Sequence, residues 1–315
     1  MSRLPRRFRA ISSFEAKTIE VLGLHARYLT AGAGLPLVLL HGVGTNAGEW
    51  TWVLPALTRN YLVYALDLPG YYGSSEPPDY SPAFTARFVS EFLDAVGAES
   101  AGVLGSSFSG LVALRLALSE PERVSALVLA DSAGLDRAVN PALAALTLPK
   151  GSELGVATWN RTPPGAAQRV FMRALLMFAH PWQIPISWLT GQYKAAQQPN
   201  FTQTELAALR TIINLAGQRE VLFDQLHHLQ MPTLIVWGTE DRVFPYWQAK
   251  EAAARLKKGT LKLIPSCGHL PHVEQPKRFV SILSEFLGLA VASGEEDCLY
   301  SLECREDCSS RNLSC

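Results

Sequence analysis

The chain has 315 residues, 48% hydrophobic and 18% charged, with 28 basic and 28 acidic side chains and hence a formal net charge of +0. That length and composition suit a globular protein of one large α/β domain or two smaller ones, and the balanced charge gives no field to draw it to nucleic acid or an anionic membrane. No apolar run approaches membrane-spanning length, so a small-molecule partner is favoured.

The first elements are polar. Residues 1–17 carry Arg3, Arg6, Arg7 and Arg9 with no following apolar stretch of secretory type, and are read as a solvated basic arm on a cytoplasmic protein. From residue 18 the pattern alternates. PLVLLHG, YLVYALD, SAGVLGS and VSALVLAD predict strands, while AGEWTWVLPALTRN, SPAFTARFVSEFLDAVG and SGLVALRLALSEPE space their apolar residues three and four apart, as helices covering a sheet must. From 135 to 230 only helical segments with Pro–Trp punctuation are found. Strand character returns in TLIVWG and LKLIPSCG, and the helix PKRFVSILSEFLGLA closes the body at about residue 290. The pattern predicts an α/β, doubly wound, mostly parallel sheet over 18–134 and 231–290, with a helical cap (135–230) inserted before the last two strands. Residues 291–315 hold Cys298, Cys304, Cys308 and Cys315 without CxxC spacing or histidine, which argues for a disordered or disulfide-prone tail over a zinc site. Cys267 is expected to pack as a small buried residue.

GSSFSG, residues 105–110, places three serines at a predicted strand-to-helix turn. A nucleophile there needs small residues two positions before and after it, because the turn is sharp. Ser106 has Leu104 before it and Ser109 has Leu111 after it. Ser107, flanked by Gly105 and Ser109 with Gly110 next, alone passes. The bland reading of the same stretch is a helix cap.

A serine hydroxyl needs a base, and the base an orienting acid. Two later loops supply them: WGTEDRVFP places Asp241 beyond a strand end, and GHLPHVEQP does the same for His269. Glu240 and Asp131 compete for the acid role, and His272 for the base; His272 is expected to be a surface neighbour, since only His269 directly follows a glycine. GVGTNA with Asp67 downstream also fits a dinucleotide pattern, but that reading leaves Ser107, Asp241 and His269 without a role.

The chain order Ser, Asp, His, with the elbow, resembles that of the α/β-hydrolase family over about residues 18–290. His41-Gly42-Val43-Gly44 resembles the family's oxyanion loop and implies donors at the Val43 and Phe108 amides, with His41 pinning the loop. Gly268, His269, Pro271, Glu274 and Pro276 resemble the family's closing motif, while DLPGYYGSS has one residue, Tyr71 or Tyr72, beyond the D-x-P-G-x-G-x-S pattern. The resemblance implies a carboxylesterase-like serine hydrolase for small or medium apolar esters, acting through an acyl-enzyme without metal or organic cofactor. Trp159, Phe171, Met172, Met177, Trp182 and Trp188 are the candidate pocket walls. One alternative is a meta-cleavage-type carbon–carbon hydrolase, whose opening loop HGVGTNAGEW resembles in its glycines, Ala47 and Trp50. Those enzymes carry a tryptophan where this chain has Leu270, and a cap arginine that Arg161, Arg169, Arg173 or Arg210 would have to supply. The other alternative is a hydrolase-fold receptor for a small ligand.

Overall fold

The computed structural model describes residues 14–148 and 152–288. The tail 291–315 and residues 1–13 of the basic arm lie outside the described residues. Eight strands form one sheet: β1 (Glu15–Val21), β2 (Leu24–Gly32), β3 (Leu35–Leu40), β4 (Tyr61–Leu66), β5 (Ala101–Ser106), β6 (Val124–Ala130), β7 (Thr233–Gly238) and β8 (Gly259–Ile264). Their order is β1-β2-β4-β3-β5-β6-β7-β8. β2 runs antiparallel to both its neighbours, and the rest pair in parallel. β1 opens at Glu15, so residues 15–17 of the expected arm belong to the sheet.

Alternate side chains of the central strands feed two cores. Val38, Leu40 and Val103 face α1 (Pro82–Ala95) and α2 (Phe108–Ser119), whereas Leu37, Leu39 and Leu104 face Trp50, Leu54 and Leu57 and the closing helix near Phe279. The stretch 47–60, spaced as one helix, is instead a 3₁₀ turn (Ala47–Trp50) followed by a single α turn (Leu54–Leu57). Pro55 has no N–H to continue a helix entering from Trp50, and it opens the second turn instead.

Between β6 and β7 the chain forms a helical cap: α3 (Pro141–Leu146), α4 (Ser152–Arg161), α5 (Pro163–Met177), α6 (Ile186–Ala196) and α7 (Phe201–Ile212). A two-residue ribbon, Ile213–Asn214 with Gly217–Gln218, follows, which the sequence reading did not include. α8 (Trp247–Ala253) links the last two strands, and α9 (Pro276–Phe286) ends the described body. Sequential strands β3 and β4 step one way along the sheet and β5 the other. Loops leaving the carboxyl ends of β3 and β5 therefore diverge around a crevice, where open α/β sheets bind ligands.

Candidate active site

Ser107 is the single residue between β5 and α2, with φ 56° and ψ −119°. L-residues avoid that region, so the surroundings must enforce it. They do so with three backbone hydrogen bonds: Ser107 N donates to the Ala130 carbonyl, and the Ser107 carbonyl accepts from the Gly110 and Ala133 amides, each at 3.0 Å. A Cβ at Gly105 would collide with the Ser109 carbonyl, which gives the small-residue rule its physical content here. Ser106 and Ser109 are both 0% exposed, and the Ser109 hydroxyl donates to the His41 carbonyl. Of the three serines only Ser107 lines the cavity between sheet and cap.

His269 Nε2 stands 2.9 Å from Ser107 Oγ, and His269 Nδ1 stands 2.9 Å from Asp241 Oδ2. The other Asp241 oxygen accepts from the Val243 (2.7 Å) and Phe244 (3.2 Å) amides, which fixes the carboxylate in place. The loop of His269 is tied to the end of α5: the His269 amide donates to the Met177 carbonyl at 2.7 Å. Glu274 completes that tie by accepting from the amides of Gly268, His180 and Ala179 at 2.7, 2.9 and 3.2 Å. Glu274 thus couples the histidine loop to the cap, a role its motif position did not disclose.

The competing groups have other surroundings. Glu240 is exposed, and its amide is bound to the Cys267 carbonyl. Asp131 is fully buried and accepts from the Gly238 amide at 2.9 Å, while its Oδ2 has no hydrogen-bond partner. One polar atom each from Asp131, Asp241 and His269 fall within 4.8 Å of one another. Burial, and then the charge of Asp241, pushes the Asp131 carboxyl well above the usual carboxylate range. Burial likewise pushes the Cys267 thiol up, which removes it as a nucleophile. His272, expected at the surface, is fully buried: it stacks on Trp50 at 4.3 Å, contacts Phe279 and pairs with buried Glu49 at 3.5 Å. The glycine argument rested on loop position alone and carried no information about depth.

The loop after β3, His41 to Gly44, is gripped from both sides. On the sheet side His41 Nδ1 meets the Gly42 carbonyl at 2.8 Å, and its Nε2 accepts from the Leu68 amide at 3.0 Å. Tyr71 packs edge-on against His41, whereas Tyr72 turns outward with φ 53° and is half exposed, so the longer loop projects one residue into solvent. Asp67 binds the Ala47 amide and Arg27, so it is spent on structure rather than open to a ribose. From the cap, Arg173 Nη2 donates to the Val43 carbonyl at 2.6 Å and Gln192 Nε2 to the Gly44 carbonyl at 3.2 Å. Glu205 binds Arg169 and Arg173, each at 2.8 Å. Burial raises the Glu205 pKa, but the two guanidinium groups together lower it further, leaving a carboxylate. Val43 lines the cavity, and the Phe108 amide belongs to the first turn of α2, where N–H groups have no intrahelical acceptor.

The cavity has a volume of about 500 Å³, within the range of small-ligand sites. Of the expected walls, Trp159, Met172 and Met177 line it. Phe171 and Trp182 do not: they point to solvent at 61% and 76% exposure. Trp188 is buried in the cap, edge-on to Phe178 at 4.8 Å. Helical spacing shows which residues share a face but not whether that face looks inward. The apolar walls that the sequence reading missed include Leu143, Leu209, Val243 and Phe244, and the missed polar ones include Glu49 and Glu205, while Arg169 and Arg173 of the four candidate cap arginines line the cavity.

Residues 37–282 match the model of a family described as the alpha/beta hydrolase family. The chain is 30% identical over 288 residues to a 2-hydroxymuconate semialdehyde hydrolase of Pseudomonas sp. (strain CF600), covering 88% of this chain and 95% of the relative. It is 29% identical over 259 residues to a pimeloyl-[acyl-carrier protein] methyl ester esterase of Aeromonas hydrophila, covering 82% of this chain and 97% of that one. A solved meta-cleavage product hydrolase from Pseudomonas fluorescens IP01 superposes with a TM-score of 0.73 at 26% identity, over 86% of this chain and 97% of the other. No helix among the described residues is long and apolar enough to cross a membrane.

Proposed function

Because this chain belongs to the α/β-hydrolase family, we propose that it is a serine hydrolase of uncharged carboxylic esters, with Ser107 as nucleophile, His269 as base and Asp241 as orienting acid. The observation that carries this reading is the continuous chain Ser107–His269–Asp241, two contacts of 2.9 Å, with its serine end open to the cavity. Ser107 Oγ attacks the ester carbonyl carbon as its proton passes to His269 Nε2. The oxyanion is received by the Val43 and Phe108 amides. His269 then gives the proton to the leaving alcohol, and water, activated by the same imidazole, releases the acid from the acyl-enzyme.

The similarity to meta-cleavage hydrolases keeps a carbon–carbon hydrolase as the second reading. Two features favour esters. Leu270 follows the histidine, and the cavity arginines Arg169 and Arg173 are already bound to Glu205, so a substrate carboxylate would have to displace that pairing. With Glu49 and Glu205 against Arg169 and Arg173, the formal charges lining the cavity balance. The test is a panel of p-nitrophenyl esters assayed beside one meta-cleavage dienol. Ester hydrolysis should exceed dienol cleavage at least about 100-fold in kcat/KM. The reverse ranking would install the carbon–carbon reading, and binding without turnover of either would favour a receptor.

A further inference from the structure

Glu49 occupies the 3₁₀ turn directly after the oxyanion loop, and its side chain is 1% exposed yet lines the cavity that holds Ser107. Neither of its carboxylate oxygens has a hydrogen-bond partner. Its ion pair with His272, at 3.5 Å, is too long to serve as one. Burial raises the Glu49 pKa, but His272 and Arg173 together lower it further, so the group is a carboxylate that requires donors. Arg173 lines the same cavity. Its two terminal nitrogens are committed to Glu205 and the Val43 carbonyl, whereas its Nε–H is buried with no acceptor. Buried polar groups are rarely left in this condition, and a charged group least of all.

An unmatched acceptor and an unmatched donor among the residues lining one cavity select among occupants by simple inventory. An ammonium ion donates only and would leave Arg173 unmatched; a carboxylate accepts only and would meet Glu49 with like charge; a hydroxyl does both. We propose that Glu49 and Arg173 form a hydroxyl-recognising subsite beside Ser107, so that the preferred substrates are esters bearing a free hydroxyl close to the scissile bond. The proposal rests on the ester reading above and narrows its substrate class.

The experiment uses pairs in which a methyl replaces the hydroxyl. Ethylene glycol monobutanoate against propyl butanoate tests the alcohol side, and ethyl 3-hydroxybutanoate against ethyl 3-methylbutanoate the acyl side. In at least one pair the wild-type protein should favour the hydroxylated ester by about tenfold or more in kcat/KM, since a site built to hydrogen-bond a hydroxyl discriminates strongly against its absence. Glu49→Leu should bring that ratio to within about twofold of one. If Glu49→Leu fails to fold, Glu49→Gln is read the same way, with at least a threefold fall in the ratio. A wild-type ratio near one in both pairs overturns the subsite. So does a ratio that survives either variant while Tm falls, because Glu49 is then only a structural partner of His272. A separate arm does not depend on turnover: 2-butoxyethanol should bind about tenfold more tightly than butyl propyl ether in an NMR titration. Should no ester be hydrolysed, the ester reading fails, and equal affinities for the two ethers would overturn the subsite independently.

Discussion

Two buried histidines stand three residues apart, His269 in the loop after β8 and His272 in the helical turn Pro271–Glu274, each beside a carboxylate, and the two pairs are built differently. His269 has both ring nitrogens engaged at 2.9 Å, one on Asp241 and one on Ser107. His272 has no hydrogen bond at either nitrogen; it is held by its stack on Trp50 and a 3.5 Å approach to Glu49. Burial beside a carboxylate therefore does not make a base. What distinguishes the first pair is a continuous path from the Ser107 hydroxyl through the imidazole to a fixed carboxylate, the arrangement that proton transfer requires.

The widest separation should come from replacing each histidine. His269→Ala should lower kcat by about 10⁴-fold or more, since removing the base of such a triad disables the unit. His272→Phe should keep kcat within about tenfold. It should instead cost about 3 kcal/mol in urea denaturation, because it takes the imidazole away from buried Glu49 and leaves Arg173 to offset the burial of that carboxylate. Comparable loss of kcat in both variants would erase the contrast.

The acids give the next contrast. Asp241→Asn should cost about 10³- to 10⁴-fold in kcat by favouring the wrong imidazole tautomer, while Asp131→Asn should change it less than about fivefold. Steady-state kinetics showing the reverse order would place the orienting acid after β6.

The smallest effects appear in the pH dependence of stability, and their signs oppose. The Asp131 carboxyl is raised by burial and by Asp241, so the folded state binds its proton more tightly than the unfolded chain, and stability falls as pH climbs from the ordinary carboxylate value towards the raised one. Asp131→Asn removes that fall. Glu49 is opposed by burial but lowered overall by His272 and Arg173; its contribution is present above the ordinary carboxylate value and is lost as pH drops through the depressed one. Glu49→Gln should therefore flatten the acid side of the profile. Urea titrations across pH 3 to 8 would read both, and matching slopes in the two variants would contradict the assignment.

Much of this was legible in the sequence because its physics is local. Apolar runs such as PLVLLHG and SAGVLGS can be buried on both faces only as central strands, and the small-residue demand of a sharp turn singles out Ser107 from its neighbours. β1 was not legible as a strand: it is an edge element, mostly solvent-exposed, with too few apolar positions to mark its period. The depth of His272 and the split among Trp159, Phe171, Trp182 and Trp188 depend on how the cap is seated. That is decided by long-range contacts such as Glu274 to His180 and Arg173 to Val43, which leave no local pattern.

The central claim is that Ser107 is the nucleophile activated by His269. Its most direct test is peptide mapping by mass spectrometry after treatment with a fluorophosphonate. One adduct is expected, on Ser107, formed rapidly in the wild type and at least about 100-fold more slowly in His269→Ala, with His272→Phe labelled at a rate close to wild type. An adduct on Ser106 or Ser109, or labelling that does not depend on His269, would contradict it.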